Sequence, residues 1–218
     1  MLWQDIKDFT PILLDGATIT IVITMGCLAI STVLGMVLAL IKMSSIPLLP
    51  RIVGVLINIV RGLPMIVLLF YIYFVLPDIG IQLTSLQASV LGLGFAYATY
   101  VAEVFRSGIE SVDIGQFEAA KSLGMSQYKT MTRVILPQAF KVALPPYSNM
   151  LVMMLKDTSL ASTIAVAEMT RAGMLLANST FKNITIYSII AIMYLLMSAP
   201  LMYLSSWLER HFGKHAAR

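Results

Sequence analysis

The sequence predicts an all-α membrane protein of five transmembrane helices, with its N-terminus outside and its C-terminus in the cytoplasm. Three observations carry that prediction. Of 218 residues, 58% are hydrophobic and only 12% are charged, against about 25% charged in a soluble domain; mean hydropathy is +0.85. The apolar residues fall into five runs, each able to supply the ~20 residues that cross a bilayer core. Lysine and arginine collect on one side of those runs, so the net charge of +4 is read by position and not as a nucleic-acid signal.

The runs follow in order. Residues 1–16 lead in; Asp5, Asp8 and Asp15 are the wrong chemistry for a cleaved signal peptide. Trp3, Ile6, Phe9 and Leu13 at helical spacing place this segment along the outer interface, a frayed lead-in being the other reading. The membrane domain spans 17–208. Its first run is 17–41, without charge. The second is 52–77, interrupted by Arg61 and Pro64, and the third is 86–104, with Glu103 at its end. The fourth, 134–155, is broken by Pro137 and the Pro145-Pro146 pair, and the fifth is 184–208. Residues 209–218 form a basic tail. Five spans put the termini on opposite sides. Lys42, Arg51, Arg106, Lys121, Lys129, Arg133, Lys141 and the tail cations share one side, which the positive-inside rule assigns to the cytoplasm.

Small residues four apart, Ser31-Gly35-Ala39 and Ala88-Gly92-Ala96, mark helices that pack closely, within the chain or across a dimer. Fifteen methionines read as adaptable filler. Cys27 is alone, so it forms no intrachain disulfide.

The longest cytoplasmic loop is the most informative segment. Asp113 followed by Gln116 has capping-box spacing, and Glu118, Ala119, Ala120, Lys121 and Leu123 are helix formers. Gly124 supplies a left-handed residue to end the helix, and Ser126 caps the next one. The result is a helix over about 113–124, too short to span and marginal alone in water, so it is expected to dock onto something.

Those residues resemble the EAA motif of ABC importer permease subunits. The family pattern is Glu-Ala-Ala, three residues, Gly, nine residues, Ile, any residue, Leu-Pro. Here it reads Glu118-Ala119-Ala120, Gly124 and Val134-Ile135-Leu136-Pro137, departing only at Val134. Arg61-Gly62-Leu63-Pro64, Lys156 to Leu160 and Ala167 to Arg171 resemble further segments of the polar amino-acid subfamily, which imports histidine, arginine, glutamine or glutamate. The likeness covers nearly the whole chain. It implies the type I importer fold and a coupling helix seated in a dimer of ABC ATP-binding subunits. It also implies a second permease, identical or similar, and an extracytoplasmic amino-acid-binding protein in the inner membrane system of a bacterium. In that scheme Glu118 meets a basic groove, Ala119 and Ala120 permit close contact, and Gly124 sets the angle of the helix that leads to Leu136 and Pro137.

This chain is too short to add a hydrolytic domain of about 100–200 residues to its membrane domain. Its only Gly-Lys pair, Gly213-Lys214, has Leu208 where a P-loop needs glycine and His215 where it needs Ser or Thr. No cofactor is therefore expected in this chain, ATP and Mg belonging to the partner. Ionisable groups at membrane depth are the candidates for the substrate path. Arg61 reads as structural or as lining a broken helix end, and Glu103 as paired with Arg106 or facing the path. Lys156, Asp157, Thr158 and Ser159 form a gate, a substrate contact or a salt-bridged loop; Glu168 belongs to the same list. His211 and His215 lack a third ligand and read as a solvated tail rather than a metal site. The alternatives, an intramembrane enzyme or a small channel without an ATPase, find neither a catalytic motif nor a use for the short helix.

Overall fold

The computed structural model describes residues 2–212; Gly213, Lys214, His215 and the rest of the tail to Arg218 lie outside it. Every regular element among the described residues is helical. They are α1 (Leu2–Lys42), α2 (Leu49–Gly62), α3 (Met65–Phe70), α4 (Ser85–Glu110), α5 (Ile114–Ser122), α6 (Gln127–Thr130), α7 (Leu136–Asp157), α8 (Met169–Thr180) and α9 (Asn183–Phe212). Three helices are long and apolar enough to cross a membrane alone, and five spans result if each of two bent pairs counts as one. The bent pairs are α2 with α3, turned by 103°, and the α6–α7 segment with α8, turned by 51°.

α4 lies at the centre, buried along most of its length. It runs parallel to α1, and glycines set the distance between them. A Cβ on Gly26 would meet Val90 at 2.7 Å, one on Gly94 would meet Ile30 at 3.0 Å, and one on Gly35 would meet Val101 at 2.7 Å. Ser31 and Ala39 are fully buried on the same face, so the first small-residue stripe packs inside the chain. Gly92 takes the Leu69 side chain of α3. α7 returns antiparallel to α4: Gly108 touches Ala139 and Ala143 near one end, and Tyr97 packs with Met154 toward the other. α9 closes the bundle against α7 and α8, with Gly173 pressed on Ile190.

Three expectations are corrected. The lead-in 1–16 is not separate from the first span: residues up to 42 form one helix, and Phe9 and Leu13 are buried against α8 and α9. Pro145 and Pro146 do not break the fourth span, because both sit inside α7. Ser148, just beyond them, donates its hydroxyl to the Pro145 carbonyl at 2.7 Å and lies 3.1 Å from Ser205, which ties this stretch of α7 to α9. The second run is not one straight pass either. Leu63 and Pro64 are extended (ψ 141° and 134°), and proline pushes its predecessor out of the helical region.

Candidate functional site: the α5 loop and the mid-bundle polar cluster

α5 begins at Asp113, whose carboxylate accepts the Gly115 N–H at 2.7 Å. The reciprocal half of the expected capping box is absent, since the Gln116 side chain accepts from Gln138 of α7 instead. Its other end closes as the sequence requires. Gly124 has φ +71°, and the N–H groups of Gly124 and Met125 bond the carbonyls of Lys121 and Ala120 at 3.0 Å each. That is a Schellman closure, which only a residue tolerant of left-handed backbone completes without strain. Ser126 takes the N-cap backbone conformation but makes no side-chain cap.

One side of α5 is anchored on the chain itself. Phe117 packs with Ile109, Val112, Ile135 and Ala139, and Ala120 is buried. The other side is open: Glu118 and Ala119 are exposed, with Ile114 (72%), Leu123 (80%) and Tyr128 (77%) around them. Of the two alanines, then, Ala119 faces outward and Ala120 faces the bundle. Beyond α6 the backbone widens into one π-helical turn, Met131–Ile135, where Leu136 N–H reaches back to the Met131 carbonyl. Pro137, which has no N–H to give, follows at once and is exposed.

Glu103 takes part in an ion-pair chain near this end. It bonds Lys42 at the end of α1 and Arg106 one turn on (Nη2–Oε2 2.8 Å), and Arg106 also holds Glu110. The pairing reading of Glu103 is therefore the one its neighbours realise. These bonds tie α1 to α4 just before the α5 loop.

The remaining candidates divide into two groups, one about halfway along α4 and one at the start of α8. Tyr97, 1% exposed, donates its hydroxyl to Asp157 Oδ2 at 2.6 Å. Its ring lies 6.2 Å from that of Tyr100, over which the exposed Arg61 guanidinium sits at 4.9 Å. Asp157 ends α7, and Thr158–Ile164 tightens to a 3₁₀ helix. Thr158 is buried and bonds the Leu155 carbonyl, Ser159 lends its carbonyl to Ser162, and Lys156 projects outward. Glu168 belongs elsewhere. Fully buried, it accepts the N–H groups of Thr170 (2.9 Å) and Arg171 (2.7 Å) and the Tyr194 hydroxyl (3.0 Å). It caps α8 and ties it to α9. Thr20 of α1 adds a bond from Met169 N–H at 3.3 Å. Residues that sequence reasoning missed are Tyr97, Tyr100 and Tyr194, since nothing local distinguishes them from other span aromatics.

Among the described residues no group of acidic, His and Cys side chains is placed to hold a metal. His211 stacks on Trp207 at 5.2 Å, and its proposed companion His215 lies outside the described residues.

Residues 31–214 match the family described as binding-protein-dependent transport system inner membrane component. The chain is 35% identical over 205 residues, covering 94% of itself and 91% of its relative, to the probable amino-acid ABC transporter permease protein YckA of Bacillus subtilis (strain 168). It is 34% identical over 213 residues to the L-cystine transport system permease protein TcyB of the same organism, covering 97% and 91%. The crystal structure of an amino acid ABC transporter with histidines superposes with a TM-score of 0.89 at 36% identity, over 95% of this chain and 97% of that one. In such systems the permease spans the membrane and ATP hydrolysis belongs to a separate subunit. With an EAA-type helix exposed at one end of a five-pass bundle, the chain belongs to the family of binding-protein-dependent transport system membrane components, as a permease subunit of an ABC importer.

Proposed function

We propose that this permease imports a polar amino acid across a bacterial inner membrane, with the α5 end in the cytoplasm and the N-terminus outside. It works beside an identical or similar permease, two ATP-binding subunits that carry ATP and Mg, and an extracytoplasmic amino-acid-binding protein. The single observation that carries the reading is the exposed face of α5, where Ile114, Ala119 and Leu123 surround Glu118. A helix of nine residues anchored on one side and exposed on the other, with Ile114 and Ala119 beside the charged Glu118 and Lys121, is a plug awaiting a socket. Glu118 adds a charge for a basic groove, Ala119 lets the socket come close, and Leu136 and Pro137 begin the span that the plug moves. Closure of the ATPases then tilts the helices as rigid bodies between two access states.

Polar amino-acid cargo is supported by a relative described for L-cystine and by the similar amino acid transporter whose crystal structure contains histidines. The mid-bundle chemistry agrees with it. Asp157 on one side of the Tyr97–Tyr100 pair and Arg61 on the other offer an anion and a cation, as an ammonium and a carboxylate require. Lys156, Thr158 and Ser159 border the same place. Glu168, with its oxygens engaged, serves by holding α8.

The test is purification with the co-expressed ATPase, followed by hydrolysis measured against a panel of amino acids with the binding protein. Stimulation by one or a few polar amino acids is the expected result; stimulation by none of them removes the cargo assignment.

A further inference from the structure

The Asp113–Gln116 spacing that opens α5 is that of a capping box, yet the Gln116 side chain leaves its own helix and reaches α7, 22 positions on. There the Gln138 amide donates twice from one nitrogen. Its Nε2 bonds the Val134 carbonyl at 2.8 Å and Gln116 Oε1 at 3.3 Å. Among the described residues this is the one side-chain hydrogen bond that joins α5 to α7. The backbone fixes the direction of both bonds. A carbonyl oxygen only accepts, so the Gln138 atom facing Val134 is its NH2, and the Gln116 atom facing that NH2 is its oxygen.

The apolar contacts of α5 leave a freedom that this bridge removes. Phe117 and Ala120 hold the helix down, but apolar burial is non-directional, and it resists lifting more than rolling about the helix axis. A hydrogen bond has a preferred angle. Gln116 stands one turn before the buried Ala120, on the flank of the anchored side, so a bond from there to α7 sets how α5 is rotated. That rotation decides where the exposed Glu118 and Ala119 point. At the other end, Val134 lies in the π-helical turn Met131–Ile135, and Gln138 follows Pro137, which has no N–H. One amide therefore spans α5, the wide turn and the start of α7.

We infer that Gln138 is a positioning residue for transport: with Gln116 and the Val134 carbonyl it locks the rotation of α5 against the head of α7. A push on α5 then moves α7 instead of being lost as rolling of the short helix. The inference rests on the reading of α5 as the helix that couples the permease to its ATPase. It also gives the pair a polarity: position 138 must donate and position 116 must accept.

The test follows hydrogen exchange of the α5 amides in the full-length permease in nanodiscs. Beside it, amino acid imported per ATP hydrolysed is measured for the complex with its ATPase in proteoliposomes. Gln116→Leu removes the acceptor, so α5 exchange should quicken about 2- to 10-fold, the range one hydrogen bond sustains, with a comparable fall in import per ATP. Gln116→Glu still accepts and should match the unaltered protein in both readouts. Gln138→Glu sets a carboxylate against the Val134 carbonyl and should behave as Gln116→Leu does. Combining Gln138→Glu with Gln116→Leu should add nothing, as for two residues of one bridge. Equal behaviour of the two glutamate variants, full additivity in the double variant, or faster exchange with import per ATP unchanged overturns the proposal. Exchange needs neither ATPase nor cargo. The expected exchange pattern in a complex that no polar amino acid stimulates would therefore remove the cargo assignment and leave the bridge standing, whereas unaltered exchange in Gln116→Leu removes the bridge from a complex that still imports.

Discussion

Gly124 offers a way to separate backbone strain from contact with a partner. Its φ of +71° is left-handed, and a Cβ built there meets nothing within 4 Å in this chain. Gly124→Ala therefore carries no steric clash, only the penalty of a left-handed L-residue, about 1–2 kcal/mol. That equals roughly a 5- to 30-fold shift in the local equilibrium between the closed turn and alternatives. Gly124→Asn should recover much of it, because asparagine tolerates this conformation. Gly124→Trp shares the penalty of alanine and adds bulk, which leaves from a Cβ with no neighbour within 4 Å in this chain and is expected to conflict with a docked subunit. The assay is amino-acid-stimulated ATP hydrolysis in proteoliposomes, with thermal stability of the permease alone as the control. Stability should fall similarly for alanine and tryptophan, while coupling should fall far further for tryptophan. Equal coupling in the alanine and tryptophan variants would refute the idea that the ATPase surface approaches this turn.

Three further outcomes are expected. Glu118→Lys should lower recovery of the ATPase in co-purification while the permease itself inserts normally, and unchanged recovery would remove Glu118 from the contact. Asp157→Asn should change which amino acids are taken up, more than it changes yield; a lower yield with an unaltered uptake profile would make the Tyr97–Asp157 bond purely structural. Glu168→Ala removes the cap of α8, a loss of about 0.5–2 kcal/mol, so the melting midpoint should drop, and less so in a Tyr194→Phe background. An unchanged midpoint with abolished uptake would return Glu168 to the substrate path.

The parts of this protein legible in the sequence are those decided locally. Apolar run lengths marked the segments that form three long spans and two bent pairs, and Gly124 is the left-handed residue that closes α5, two positions past its last helical residue Ser122. The parts that eluded it are decided by neighbours distant in sequence. Pro145 and Pro146 are tolerated because α7 is embedded between α4 and α9, and Gln116 abandons Asp113 because Gln138 is at hand. Glu168 looked like an ionisable group at membrane depth. Its role as a cap appears only once Tyr194, 26 residues away, is seen to donate to it. The site followed the same rule: Glu118 and Gly124 were readable from spacing, whereas the link from Arg61 through two tyrosines to Asp157 depends on how α2, α4 and α7 meet.

The glycine contacts between the first and third passes have a mechanical consequence. With Gly26, Gly35 and Gly94 each receiving a side chain from the opposing helix, neither helix can slide along the other without lifting its neighbour out of a notch. The ion pairs at their shared end add a rivet. The pair is thus built to move as one beam when α5 is pushed. Compliance must then reside in the elbow at Leu63-Pro64 and the bend before Met169, so stiffening either of these should arrest the machine even with every binding surface intact.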